Sequence, residues 1–431
     1  MQDGMNARRS RSAEDQPLFE FWSRTDLNRF RKSLADWFRE RARDLPWRRT
    51  GDPYRIWISE VMLQQTTVVA VVPYFEKFIA RFPTVQDLAV ANQDDVLRHW
   101  EGLGYYSRAR NLHRAAQALV SQSEGRFPET VEELTSLPGI GRYTAGAILS
   151  FAFDRPAPIL EANTLRLYSR LLNFDGNPRA THGQKLLWAF AAHLLPESGS
   201  GNLNQALMEL GSLVCTPQNP DCEHCPVLKH CRAREAGRQN DIPAPMVRPD
   251  VTELVEVALT IEHAGRYLLR RNPEGQRWAG LWDFIRLPHD EALAEEAALL
   301  KPHRNVSRKL AGRLEQLVAE QTGQLIQVQT MLSSIRHSVT RYRIQLQCLS
   351  ASAEEPVIGE SADMQWVPVS RLHEFPLSVT GRRLARLVER IQAEAAAEEM
   401  PGAARPTPRL VETIQAETAS AEESTRPGRL F

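Results

Sequence analysis

From residue 21 to about residue 231 the apolar positions recur every three or four residues. That period predicts helices over 26–43, 54–82, 93–100, 109–121, 142–153, 164–172, 184–195 and 204–214. Short Pro, Gly and Asn punctuations separate them, such as Phe82-Pro83 and Leu137-Pro138-Gly139. The stretch D-I-P-A-P-M-V-R-P-D at 241–250 has three prolines in ten residues and reads as extended chain. Beyond it the period shortens to two. Strands are predicted over 251–261 and 266–270, across a His263-Ala264-Gly265 turn, and over 341–349, with a helix at 306–322 between them. The chain is therefore multidomain, an all-α domain followed by a smaller α+β domain. The expected divisions are an arm at 1–20, the helical domain at 21–235, a linker at 236–250, the α+β domain at 251–390 and a tail at 391–431. Both ends are expected to be disordered, the tail because Ala, Glu, Pro, Ser and Thr dominate it. No repeat at a solenoid period is visible.

A chain of 431 residues exceeds one ordinary core, which agrees with two domains. Hydrophobic residues at 42% and charged residues at 25% are those of a soluble protein. No apolar run is long enough to cross a bilayer. The polar start, with Arg8, Arg9 and Arg11, lacks the apolar segment of a secretory signal. No membrane association and a reducing, cytoplasmic location are expected. Lys plus Arg and Asp plus Glu number 53 each, so any nucleic-acid surface must be a local patch.

Cys215, Cys222, Cys225 and Cys231 form a C-x6-C-x2-C-x5-C run, broken by Pro217, Pro220 and Pro226 into tight turns. A reducing compartment and a single leftover cysteine, Cys348, argue against disulfides. Four thiolates around one centre suit either structural zinc or an iron–sulfur cluster, and the spacing by itself leaves both open.

Leu137-Pro138-Gly139-Ile140-Gly141-Arg142-Tyr143-Thr144 reads as a hairpin opening a helix. Gly139 and Gly141 let backbone approach a partner closely, and the helix start offers N–H groups to a phosphate. Glu60 lies on a largely apolar helix, in W-I-S-E-V-M-L-Q-Q-T-T, and is either a solvated residue or a buried acid of raised pKa. Gln64, Gln65 and Thr66 follow it. Glu161, in P-I-L-E-A-N-T, stands before the 164–172 helix, for which Asn163 is the expected N-cap. Glu161 alone would be an acid at a helix start. Two carboxylates about one pocket would serve N-glycosidic cleavage through a cationic sugar.

These segments together resemble the adenine DNA glycosylase (MutY) family of the endonuclease III class. The resemblance rests on P-W-R at 46–48, S-E-V-M-L-Q-Q-T at 59–66, E-G-L-G-Y-Y-S-R-A-R-N-L at 101–112, the hairpin at 137–144, N-Q-A-L-M-E-L-G at 204–211 and the cysteine run. W-A-G-L-W-D-F at 278–284 resembles the family's C-terminal domain. The resemblance covers about residues 24–390. It implies a helix–hairpin–helix glycosylase domain with a [4Fe–4S] loop on the four cysteines, followed by a Nudix-like domain. It further implies removal of adenine mispaired with 8-oxoguanine or guanine from double-stranded DNA, in base excision repair, by a monomer. The compact two-domain layout suggests a bacterial protein.

By match to the family's motifs, Glu60 protonates adenine, Tyr143 stands beside it, Glu161 is the second carboxylate and Asn163 its neighbour. Gln65, Leu103 and Tyr105 wedge into the duplex. Thr66, Gly139, Gly141 and Arg108 are further candidates for DNA contact, with Arg110, His113, Arg114, Lys229, Arg232 and Arg234 as possible phosphate partners. A lysine at position 143 would form a Schiff base and cut the strand; tyrosine does neither, which implies a monofunctional enzyme.

Departures from the pattern are informative. The family has Asp-Gly where this chain has Glu161-Ala162, so the carboxylate reaches one methylene further. The Nudix-like helix candidate at 312–323 lacks the paired glutamates that hold magnesium, leaving a recognition role. The family's lesion loop is replaced by His337-Ser338-Val339-Thr340-Arg341-Tyr342, where Thr340 keeps a hydroxyl. Two other functions stay open: a mismatch-binding protein with a disabled pocket, and a glycosylase for another mispaired base such as thymine or uracil.

Overall fold

The structure is a computed structural model that describes residues 22–244, 250–356 and 362–398. The arm at 1–20 and the tail beyond 398 lie outside the described residues. Two compact units emerge. One holds the described residues up to Ala89 and again from Arg114 to 244; the other holds Val90–His113 and the described residues from 250 onward.

The first unit is helical. Its main helices are Arg24–Arg41, Pro53–Leu63, Val68–Arg81, Arg142–Phe153, Ala162–Leu172, Thr181–Leu194 and Ser200–Leu213. Ser23 opens the first through a capping box with Asp26. The core gathers Phe30, Leu34, Tyr168, Leu187, Phe190, Leu207 and Leu210, all at or near zero exposure. The expected single helix over 54–82 is two. It stops at Leu63, Gln65 takes a left-handed φ of 59°, and the chain restarts at Val68. Apolar spacing persists across that break, so period alone could not reveal it. The six-residue helices Val85–Val90 and Val131–Ser136 are too short to establish a period. The start of the expected 236–250 linker packs on this unit: Ile242 is buried and its carbonyl accepts from Arg170 Nε at 2.8 Å.

In the second unit six strands form one mixed sheet: β1 (Thr252–His263), β2 (Arg266–Arg271), β3 (Trp282–Leu287), β4 (Gln327–Val339), β5 (Tyr342–Ser352) and β6 (Met364–Pro368). Their order is β4-β5-β1-β3-β2-β6, with β1 and β5 parallel and the remaining neighbours antiparallel. Helices Glu291–Ala298 and Arg308–Thr322 supply Leu293, Leu310 and Leu314 to one core, and Leu384 and Val388 of Val379–Glu398 enter another. Three strands escaped the period-two reading for separate reasons. β3 is buried at almost every position, so it cannot alternate. β4 carries register shifts between Val328 and Ser333 that throw its alternation out of phase. β6 has only five residues. The last helix runs to Glu398, so the expected disordered tail begins as helix over 391–398.

Candidate active site and cysteine loop

Asp52 caps the Pro53–Leu63 helix, accepting from the Tyr54 amide, and Pro53 supplies a preset first turn. Its residues from Ile56 to Met62 are all buried, Glu60 among them at 3% exposure. Burial pushes the Glu60 carboxyl up to about 7. The Tyr143 hydroxyl opposes that shift, the Glu161 charge adds to it, and Arg48 offsets part. Tyr143, on the first turn of the Arg142–Phe153 helix, donates its hydroxyl to Glu60 Oε2 and lies 3.9 Å from Met208 Sδ. Burial, with the two nearby carboxylates, raises the tyrosine well above its ordinary range, so it acts as a neutral donor.

Glu161, rather than the expected Asn163, is the N-cap of the Ala162–Leu172 helix. The longer carboxylate straddles the helix start. Oε2 accepts from Asn163 N at 2.8 Å and Oε1 from Thr164 N at 2.9 Å, while Glu161 N donates back to Thr164 Oγ1 at 2.9 Å. Burial raises Glu161, and the two amides and Arg166 pull it back. The Asn163 amide donates to Glu161 Oε2 at 3.3 Å and accepts from Arg166 Nη2 at 2.9 Å. A side chain at Gly211 would meet Asn163 Cβ at 2.8 Å, so glycine there lets the two helices close. Glu60, Tyr143, Glu161 and Asn163 are thus gathered by three helices.

Before the Tyr143 helix, Gly139 takes φ of 76°, which a side chain would strain, and Gly141 is the N-cap. Both glycines are exposed, and nothing lies within 4 Å of where a Gly141 Cβ would project. The backbone there is open to a partner.

Cys215, Cys222, Cys225 and Cys231 line one cavity with Leu167 and Arg170, and all are free thiols. No group of three His, Cys, Asp or Glu side chains among the described residues is set to hold a metal ion. Burial pushes Cys225 up to about 12 and Cys231 up to about 11, so thiolates there need a cationic centre. The buried Arg170 donates to Cys215 Sγ at 3.3 Å, Thr216 O at 2.7 Å and Pro217 O at 3.1 Å. Arg166 Nε reaches Cys215 O at 2.8 Å. These bonds tie Cys215 and the two residues after it to the Ala162–Leu172 helix.

The other DNA-contact candidates divide. Gln65 and Tyr105 are exposed and left-handed, at φ of 59° and 47°, and Thr66 is half-buried in the break after Leu63. Leu103 is buried, so this conformation does not present it as a wedge. Arg108 is turned inward: Nη2 donates to Leu103 O and Gly104 O at 3.3 Å, and burial lowers the guanidinium to about 10. It braces the loop and is not displayed as a phosphate contact, and His113 is likewise buried. Thr340 is exposed at φ of 54° in the turn joining β4 to β5.

Among the buried charges that the sequence left without a role, Glu209 is the most enclosed. Glu209 has no exposed surface and accepts from Arg43 Nε at 2.8 Å, Arg43 Nη2 at 2.8 Å and Arg48 Nη2 at 2.8 Å. Its signal was present, since 46–48 and 204–211 were singled out together, but nothing in either segment said that they touch.

A helical unit bearing a glycine hairpin, two neighbouring carboxylates and a four-cysteine loop fits a base-excision class of DNA repair protein. Consistently, the model of the HhH-GPD superfamily of base excision DNA repair proteins matches residues 58–193, and a NUDIX domain model matches 256–387. Adenine DNA glycosylase of Mus musculus is 42% identical over 246 residues, 55% of this chain and 48% of that protein. Adenine DNA glycosylase of Buchnera aphidicola subsp. Schizaphis graminum is 36% identical over 256 residues, 59% of this chain and 74% of that protein. A solved structure of a thermostable thymine-DNA glycosylase aligns with 49% of this chain and 97% of its own at 29% identity, with a TM-score of 0.45. The chain belongs to the adenine DNA glycosylase family. It spans about half the length of the mammalian relatives it matches. Among the described residues no helix is long and apolar enough to cross a membrane.

Proposed function

We propose that this protein is a monofunctional adenine DNA glycosylase. It would hydrolyse the N-glycosidic bond of adenine opposite 8-oxoguanine or guanine in double-stranded DNA, opening base excision repair. The observation that carries this reading is the Glu60–Tyr143 pair: a buried carboxyl held near a pKa of about 7, with a neutral hydroxyl fixing one oxygen.

Adenine leaves the stack and enters the pocket, at a cost of a few kcal/mol that a mispair reduces. Protonated Glu60 gives its proton to adenine N7, and the C1′–N9 bond breaks with its electron pair going to the base. The sugar is left cationic, and the Glu161 carboxylate, steadied by Asn163 and Thr164, stabilises it. Water then adds to C1′ and returns a proton to Glu60, leaving an abasic site. Tyr143 has no amine to form a Schiff base, so the strand stays whole.

Cys215, Cys222, Cys225 and Cys231 would hold a [4Fe–4S] cluster, whose bound centre supplies the positive charge that four thiolates require. Its part is to fold the loop that carries Lys229, Arg232 and Arg234. The C-terminal unit would recognise the lesion through the turn at Thr340, with no nucleotide hydrolysis of its own.

A second reading has its own support. Both Glu161 oxygens are already engaged by backbone amides, as a disabled pocket in a mismatch-binding protein would allow. Single-turnover adenine release from an A:8-oxoguanine duplex, with A:G, T:G and U:G controls, separates these readings and the thymine or uracil alternative.

A further inference from the structure

Residues Val90–His113 lie inside the stretch matched by the superfamily model, yet they cluster with the C-terminal sheet. Within that unit two bidentate ion pairs fasten them. Arg271 Nη1 and Nη2 reach the Asp94 oxygens at 2.7 and 2.9 Å, and Trp282 Nε1 adds a third bond to Asp94 at 3.2 Å. Arg382 Nε and Nη2 reach the two Glu101 oxygens at 2.7 and 2.9 Å. The same guanidinium donates to Leu372 O at 2.9 Å and Phe375 O at 2.7 Å. Both members of the second pair are mostly buried, at 16% and 17% side-chain exposure. A desolvated bidentate pair of this kind fixes position as well as energy.

Immediately after Glu101 the chain makes the Gly102–Tyr106 loop, a built turn. Gly102 and Gly104 take φ of 104° and 72°. Trp100 Nε1 donates to Gly104 O at 3.1 Å, Gly102 N donates to Tyr106 Oη at 3.3 Å, and Arg108 caps two carbonyls. The Arg108 guanidinium stacks between the Trp100 ring at 5.4 Å and the Tyr105 ring at 5.5 Å. Tyr105 projects from this cage, half exposed. These braces come from neighbouring residues of the same segment, whereas the grip on Glu101 comes from the helix beginning at Val379.

We propose that Arg382 is a positioning residue for opposite-base recognition. Through Glu101 it sets the loop that presents Tyr105 to the duplex, making 90–113 the DNA-contacting arm of the C-terminal unit. The proposal deepens the glycosylase reading and rests on it for the identity of the opposite base. Lysine at 382 keeps the charge but cannot hold two carboxylate oxygens and two carbonyls at once. Glu101→Gln removes the charge alone and leaves both carbonyl bonds in place.

The test uses the full chain, with Arg382→Lys and Glu101→Gln beside wild type. The first readout is amide hydrogen exchange over 101–106, free and bound to an A:8-oxoguanine duplex. The second is the ratio of single-turnover excision rates with 8-oxoguanine and with guanine opposite. Both variants are expected to speed exchange over 101–106 by about tenfold, as a local opening loses one strong anchor. They should also lower the excision ratio by about tenfold, the scale of a lost charge-assisted pair. Unchanged exchange, or faster exchange with an unchanged ratio, would overturn the proposal. Should wild type release no adenine, the glycosylase reading fails by itself. Duplex protection of 101–106 that both variants lose would still uphold the arm, and its absence in wild type would sink it.

Discussion

Arg48 Nη2 stands 2.8 Å from Glu209 Oε2, and this ion pair joins the Pro46–Arg48 turn to the helix that carries Met208 beneath Tyr143. Burial by itself would raise the glutamate, but Arg43 and Arg48 outweigh it and hold Glu209 down at about 2. A carboxylate with a depressed folded pKa contributes stability that is present above its unfolded value and lost as pH falls through the folded one. Glu209→Gln is therefore expected to cost about 3–5 kcal/mol at neutral pH, because two arginines lose their buried partner. Its unfolding free energy should also fall less steeply than wild type between about pH 4.5 and 2. Denaturant melts across that range check both expectations.

The Tyr143–Glu60 bond makes a prediction about pH. Excision needs the protonated carboxyl, so the single-turnover rate should drop as pH rises through about 7. The tyrosine bond favours the ionised form. Removing it in Tyr143→Phe should move that alkaline limb to higher pH while lowering the plateau through lost positioning. A limb that stays in place or moves down would contradict the role given to Tyr143.

How far this site was legible depended on whether chemistry or local backbone carried the signal. Glu60 and Tyr143 were readable because a lone acid on an apolar helix and a glycine hairpin each leave a local mark, and both motifs matched one family. The cap at Glu161 was misread as Asn163, since composition favours asparagine at an N-cap and cannot show which residue turns first. The helix break at Gln65 was invisible because only a backbone angle changes there. Glu209 was missed for a different reason: its partners Arg43 and Arg48 lie 166 and 161 residues away, and pairing over that distance has no local trace. In the C-terminal unit β4 fell outside the alternation rule once its bulges shifted the phase.

Glu161 carries two separable duties, which single substitutions can divide. Glu161→Gln keeps an oxygen for the helix start but removes the charge opposite the sugar, so excision should fall by about 10²–10³-fold with little change in melting. Glu161→Asp keeps both duties with a shorter reach, and aspartate is as good an N-cap. Its excision rate should equal or exceed that of wild type. Equal rates for wild type and Glu161→Gln would remove the second carboxylate from the mechanism.

Loss of one thiolate tests the cysteine loop apart from catalysis. Purified wild type should be brown, with absorbance near 400 nm, the property of an iron–sulfur protein and not of zinc. Cys225→Ser should lose that absorbance and weaken duplex binding at low salt, because Lys229, Arg232 and Arg234 lose their scaffold. A colourless wild type containing stoichiometric zinc would replace the cluster with a single ion.

The most direct measurement compares wild type and Glu60→Gln under single-turnover conditions on a labelled A:8-oxoguanine duplex, with and without alkali. The expected result is adenine release by wild type, strand breaks only after alkali, and binding without release by Glu60→Gln. Tight binding without release by wild type, or release by Glu60→Gln, would contradict the assignment of Glu60 as the acid of an adenine glycosylase.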